Sequence, residues 1–141
     1  MLPEKKELID SLNKDLAAEW GTIARYTYQA AKATGIGGFE LRALLQKEIP
    51  DELGHASYLS DVIADLGGEP QTKGSDFDRP EAIRDILKQD IAREEEDIES
   101  YRRHAELANS MGEIAVKVHL EEIAADENKH ARELRRLLRG L

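Results

Sequence analysis

The feature that most limits how this chain can fold is a repeated interruption of its apolar stripes. Apolar residues recur at steps of three and four, and each stripe is broken at mid-length by an acid or a histidine. Shifting the chain by 75 residues superposes the breaks: Glu19 falls on Glu94, Asp51 on Asp126, Glu52 on Glu127 and His55 on His130. Asp15 falls on Asp90 and Tyr26 on Tyr101 in the same register, and apolar positions follow, Leu12 with Leu87, Leu16 with Ile91, Ile23 with Ile98, Ala30 with Ala105. Such self-similarity at helical spacing predicts two alike helical hairpins facing one another. Aromatics at 5% and charged residues at 35% suit long amphipathic helices rather than sheets.

The connections set the topology. Residues 34–38 (TGIGG) and 109–112 (NSMG) are short glycine-bearing reversals that join antiparallel neighbours. Residues 67–80 (GGEPQTKGSDFDRP) are 14 residues without period. Extended, they reach about 46 Å at about 3.3 Å per residue, enough to cross a helix of about 42 Å. The expectation is an all-α four-helix bundle, one domain over residues 1–141, with a single long crossover between the second and third helices. Pro80–Glu81 is expected to open the third helix. Pro50 must kink the second helix or divide it in two, and a kink just before the polar cluster is expected.

Composition excludes several classes. No cysteine is present, so disulfides, zinc–thiolate sites, iron–sulfur clusters and thiol nucleophiles are out, in keeping with a reducing cytoplasm. A net charge of −9 repels nucleic acid and anionic membranes and attracts cations. No apolar run approaches the roughly 20 residues of a membrane span, and MLPEKKELID lacks a signal-peptide core. A soluble cytoplasmic chain with neither a nucleic-acid nor a membrane partner is expected.

Burying an ionised carboxylate without a partner costs several kcal/mol, and several together repel one another, so a positive charge should sit between them. Glu-x-x-His occurs as Glu52–His55 and Glu127–His130, each pair on one helical face and suited to one metal. With Glu19 and Glu94 from the other helices, four carboxylates and two imidazoles suffice for two cations, whose charge the four glutamates neutralise. Asp51 and Asp126 precede the two motifs and are placed to orient an imidazole across the pair. Oxygen and imidazole donors without sulfur point to iron or manganese, and we expect iron.

This arrangement resembles the ferritin-like di-iron carboxylate proteins, and the bacterioferritins most of all, over Leu12 to Leu138. The resemblance implies that Glu19, Glu52, His55, Glu94, Glu127 and His130 are ferroxidase ligands, with Glu52 and Glu127 bridging two irons. Tyr26 would be a hydrogen-bonding or redox neighbour of the cluster. Haem-binding bacterioferritins carry methionine after the bridging glutamate of the second helix, whereas this chain has Leu53, so haem is not expected. The chain stops at Leu141, without the short fifth helix of 24-subunit shells, which implies a smaller homo-oligomeric shell or a dimer.

The expected activity is oxidation of Fe(II) by O2 or H2O2 for iron storage or detoxification. The alternatives are rubrerythrin-like or manganese-catalase-like peroxide removal, and a non-enzymatic metal-buffering or structural bundle. Tyr101, like Tyr26, is expected to pack on a core stripe with its hydroxyl hydrogen-bonded. Glu48 occupies a core-side position one turn before Glu52 but is matched in the repeat by Ile123, so it is no symmetric ligand and either guides incoming cations or faces solvent beside Pro50. His104 and His119, without matched acids, are expected at surfaces or subunit contacts, and Trp20 at a helix or subunit interface.

Overall fold

The computed structural model describes residues 1–141 as four long helices and no strand: α1 (Pro3–Lys32), α2 (Gly38–Asp65), α3 (Ile83–Ser110) and α4 (Ile114–Arg139). Pro3 and Glu4 open α1, where a proline's missing N–H costs nothing and an acid complements the helix dipole. Arg136 and Arg139 do the converse at the end of α4. Both short reversals need left-handed backbone, supplied by Gly35 (φ 76°) and Gly37 (φ 80°) in one and by Gly112 (φ 76°) in the other.

Two apolar clusters fill the bundle. One unites Leu8, Leu12 and Leu16 with Leu59 and Ile63, Tyr101 and Ala105, and Leu120 and Ile123. The other unites Tyr26 and Ala30 with Leu41 and Leu45, Ile86 and Leu87, and Leu134. Along every helix the mid-length acids fall between these two sets, so the polar layer is closed above and below by packed side chains.

The order in which each helix meets the clusters gives its direction. Helices α2 and α3 run parallel, α1 and α4 antiparallel to them, and residues 66–82 must cover the bundle's full length. This segment lies along α1. Asn13 exchanges hydrogen bonds with it, donating to Glu69 O (3.0 Å) and accepting from Gln71 N (2.8 Å). Trp20 Nε1 donates to Gln71 O at 2.8 Å, and Gly74 lies so close to Gly21 that a Cβ there would stand 2.4 Å from the Gly21 nitrogen.

One sequence expectation needs correction. Ala82 is extended (ψ 130°) and caps α3, so the helix starts at Ile83 and Pro80–Glu81 lie ahead of it. Helix α2 runs through Pro50 as one helix, the first of the two arrangements the proline allows. Pro50 is exposed, which leaves the carbonyl it cannot bond on the wet side of the helix.

Candidate metal centre

All six residues of the proposed ligand set are buried in one layer: Glu19 from α1, Glu52 and His55 from α2, Glu94 from α3, Glu127 and His130 from α4. The i, i+3 spacing of each Glu-x-x-His stacks the imidazole over its own glutamate, and the facing hairpin brings the other motif opposite.

The histidines reach across the pair. His55 Nδ1 lies 3.1 Å from Glu127 Oε1, 3.5 Å from Glu19 Oε1 and 3.8 Å from Glu52 Oε2. His130 Nδ1 lies 2.9 Å from Glu52 Oε1, 3.7 Å from Glu127 Oε1 and 3.9 Å from Glu94 Oε1. Two groups result, Glu19–Glu52–His55–Glu127 and Glu52–Glu94–Glu127–His130, each with donor atoms within 4.8 Å of one another. Glu52 and Glu127 belong to both.

The surrounding contacts repeat as well. His55 Nε2 is 2.9 Å from Asp126 Oδ2 and His130 Nε2 is 3.0 Å from Asp51 Oδ2. An N–H given to these acids leaves Nδ1 of each ring with its lone pair toward the cluster. The Tyr101 hydroxyl donates to Glu19 Oε1 at 2.6 Å, and the Tyr26 hydroxyl donates to Glu94 Oε1.

What the layer lacks is equally informative. Both oxygens of Glu52 and Glu127, one oxygen each of Glu19 and Glu94, and Nδ1 of His55 and His130 are buried without a hydrogen-bond partner. Natural proteins rarely leave such atoms unpaired, and here they converge on one place. Burial pushes Glu19 well above the usual carboxylate range, and repulsion from Glu52 adds to it. Glu127 is raised for the same two reasons, and Glu94 is also raised, mainly by burial. Glu52 goes the other way: burial opposes its charge, but its close approach to Glu19 and both histidines holds it well below the usual range. Burial also works against a charged His55, yet its contacts with Glu19 and Glu52 lift it to about 11, and similar contacts with Glu52 and Glu48 lift His130 to about 9. Without metal the layer therefore stores protons, which an incoming cation must displace.

Several residues stand differently from expectation. Glu48 does not face solvent: it is 3% exposed, points toward His130, and burial raises it to about 8. His104 is not a surface residue: its Nδ1 lies 2.6 Å from Oδ2 of the buried Asp15, which also accepts from the Ser100 hydroxyl at 2.7 Å. The matching Asp90 accepts instead from Arg25 Nε (2.9 Å) and Gln29 Nε2 (3.0 Å). The 75-residue shift pairs Arg25 with Ser100 and Gln29 with His104, unlike residues that a search for identities passes over. His119 stacks on Tyr58, ring centroids 3.5 Å apart. Trp20 packs at the seam between α1 and the crossover.

Comparison with known proteins agrees with this architecture. Residues 9–141 match the ferritin-like domain family. A bacterioferritin of Desulfovibrio desulfuricans is 30% identical over 127 residues, covering 89% of this chain and 71% of that protein. The crystal structure of a ferritin-like di-iron carboxylate protein from Bacillus anthracis superposes with a TM-score of 0.95 at 39% identity, covering 98% of this chain and 99% of that one. The dodecameric bacterioferritin-related protein of Bacteroides fragilis superposes at 0.86 with 25% identity, covering 96% and 86%. With its crossover bundle, repeated Glu-x-x-His and a match over almost its whole length, the chain belongs to the ferritin-like family, with bacterioferritins among its relatives.

Proposed function

We propose that this chain is a ferritin-like ferroxidase that binds two iron ions in the buried layer and oxidises Fe(II) with O2 or H2O2 for storage or detoxification. The observation that carries the reading is the set of unpartnered carboxylate oxygens and imidazole nitrogens converging between the two apolar clusters. Glu52 and Glu127 would be shared by the two ions, with Glu19 and His55 completing one position and Glu94 and His130 the other. Asp126 and Asp51 fix the histidine tautomers, and the two tyrosine hydroxyls hold Glu19 and Glu94 in place. The apolar clusters restrict water, so the donors keep their geometry. Bound iron supplies the electron transfer to the oxidant.

The reading includes no haem, since Leu53 is exposed and offers no ligand atom. It includes a homo-oligomer, supported by the dodecameric relative from Bacteroides fragilis. No helix is long and apolar enough to cross a membrane, and the absence of cysteine suits a reducing cytoplasm. We take residues 1–141 to act as one domain.

Stopped-flow mixing of the metal-free protein with Fe(II) in aerated buffer tests the activity. Ferric absorbance should rise faster than in buffer alone. Equal rates would remove the ferroxidase assignment, and peroxide consumption driven by manganese rather than iron would replace it with the catalase class.

A further inference from the structure

The two halves of the buried layer are not equal, and the inequality is a carboxylate. Glu48 lies one turn before Glu52 on the inward face of α2, 3% exposed, with neither oxygen hydrogen-bonded. Its repeat counterpart is Ile123, 1% exposed and packed in the apolar cluster, so the His55 side has no such acid. An aliphatic side chain serves that position in one half. A buried acid in the other half costs stability unless it meets a cation.

Glu48 faces the right place. Its Oε2 is 4.0 Å from His130 Nδ1, almost the separation of Glu94 Oε1 from that nitrogen, 3.9 Å. Two donors each about 2.1 Å from one ion stand at most about 4.2 Å apart, so each separation lies within what a single shared cation would span. Glu48 lies outside the tightest group, whose donor atoms are all within 4.8 Å of one another, so its side chain would have to turn toward the ion to join it.

Resting on the two-ion reading above, we propose that Glu48 is an additional ligand of the ion on the His130 side. That position then has carboxylates from Glu48, Glu52, Glu94 and Glu127, whereas the His55 position has only Glu19, Glu52 and Glu127. The His130 position fills first and holds its cation more tightly.

Anaerobic titration with Co²⁺, followed by visible absorption and calorimetry, separates the two positions. Glu19→Gln leaves the His130 side complete, and Glu94→Gln leaves the His55 side complete. Adding E48Q should weaken Co²⁺ binding about tenfold or more in the first background and leave it unchanged in the second. Glu48→Ile, which copies the chemistry of position 123, should do the same. Equal affinities with and without Glu48 in the first background would overturn the proposal while leaving the two-ion reading intact. Failure of the unaltered protein to take up any Co²⁺ would overturn both.

Discussion

The half of the bundle built around Glu94 and the half built around Glu19 agree where they face the centre and diverge one layer out. In each, a tyrosine hydroxyl from the neighbouring helix grips the glutamate and an aspartate from the opposite motif meets the histidine. Behind Glu94, Asp90 pairs with Arg25 and accepts a hydrogen bond from Gln29; behind Glu19, Asp15 is held by His104 and Ser100. An arginine and a glutamine thus stand where the other half has a serine and a histidine. The comparison teaches that the donors tolerate little variation in geometry, whereas the acids behind them need only be satisfied.

The largest effect should come from the residues both halves share. Glu52→Ala or Glu127→Ala removes a donor from both groups at once, and Fe(II) oxidation should fall about a hundredfold or more with loss of both ions. Glu19→Ala or Glu94→Ala should cost one ion of the two by elemental analysis. Loss of both from either would show that the halves are not separable.

Next comes the contrast in support. Arg25 is 3% exposed and Asp90 fully buried, so Arg25→Ala strands a charge and should cost about 3–5 kcal/mol in urea unfolding. His104→Ala leaves Asp15 with Ser100 and should cost about 1–3 kcal/mol. Equal losses would mean that the extra charge in one half has no structural consequence.

Acidity provides a third contrast, between metal-free and loaded protein. His55 and His130, raised to about 11 and about 9, bind protons more tightly in the fold than in the unfolded chain, where histidine titrates near 6.5. Their stabilisation is complete below pH of about 6.5 and is lost as pH rises through the folded values. The raised glutamates act in the same sense. The melting temperature of the metal-free protein should therefore fall by about 5 °C or more between roughly pH 6.5 and 9, and that of the iron-loaded protein should hold.

The smallest effect separates two alike hydroxyls. Tyr26→Phe and Tyr101→Phe should each lose about 1–2 kcal/mol, since each strands a buried carboxylate oxygen. A redox part for Tyr26 would show as slower Fe(II) oxidation in its variant alone.

The layout of the fold was legible in the sequence because each of its signals is local or periodic. Glycines at 35, 37 and 112 marked the reversals, a patternless stretch marked the crossover, and stripes such as Leu12, Leu16 and Leu87 gave the faces. The placement of Glu19, Glu52, His55, Glu94, Glu127 and His130 in one layer followed from the same periodicity. The support around Asp15 and Asp90 was hidden because its members differ in chemistry between the halves, and only three-dimensional proximity relates His104 to Asp15 over 89 residues. Glu48 was ambiguous because, although it stands on the core-side stripe one turn before Glu52, its repeat counterpart Ile123 offers no matching acid to assign it to the cluster.

The claim under all of this is that the central acids are kept together by two cations. Anaerobic calorimetric titration of the metal-free protein with Fe²⁺ addresses it directly. Two ions should bind per chain, releasing protons as His55, His130 and the raised glutamates give way to metal. Uptake of less than one ion per chain, or uptake that survives replacement of Glu52 and Glu127 together, would contradict it.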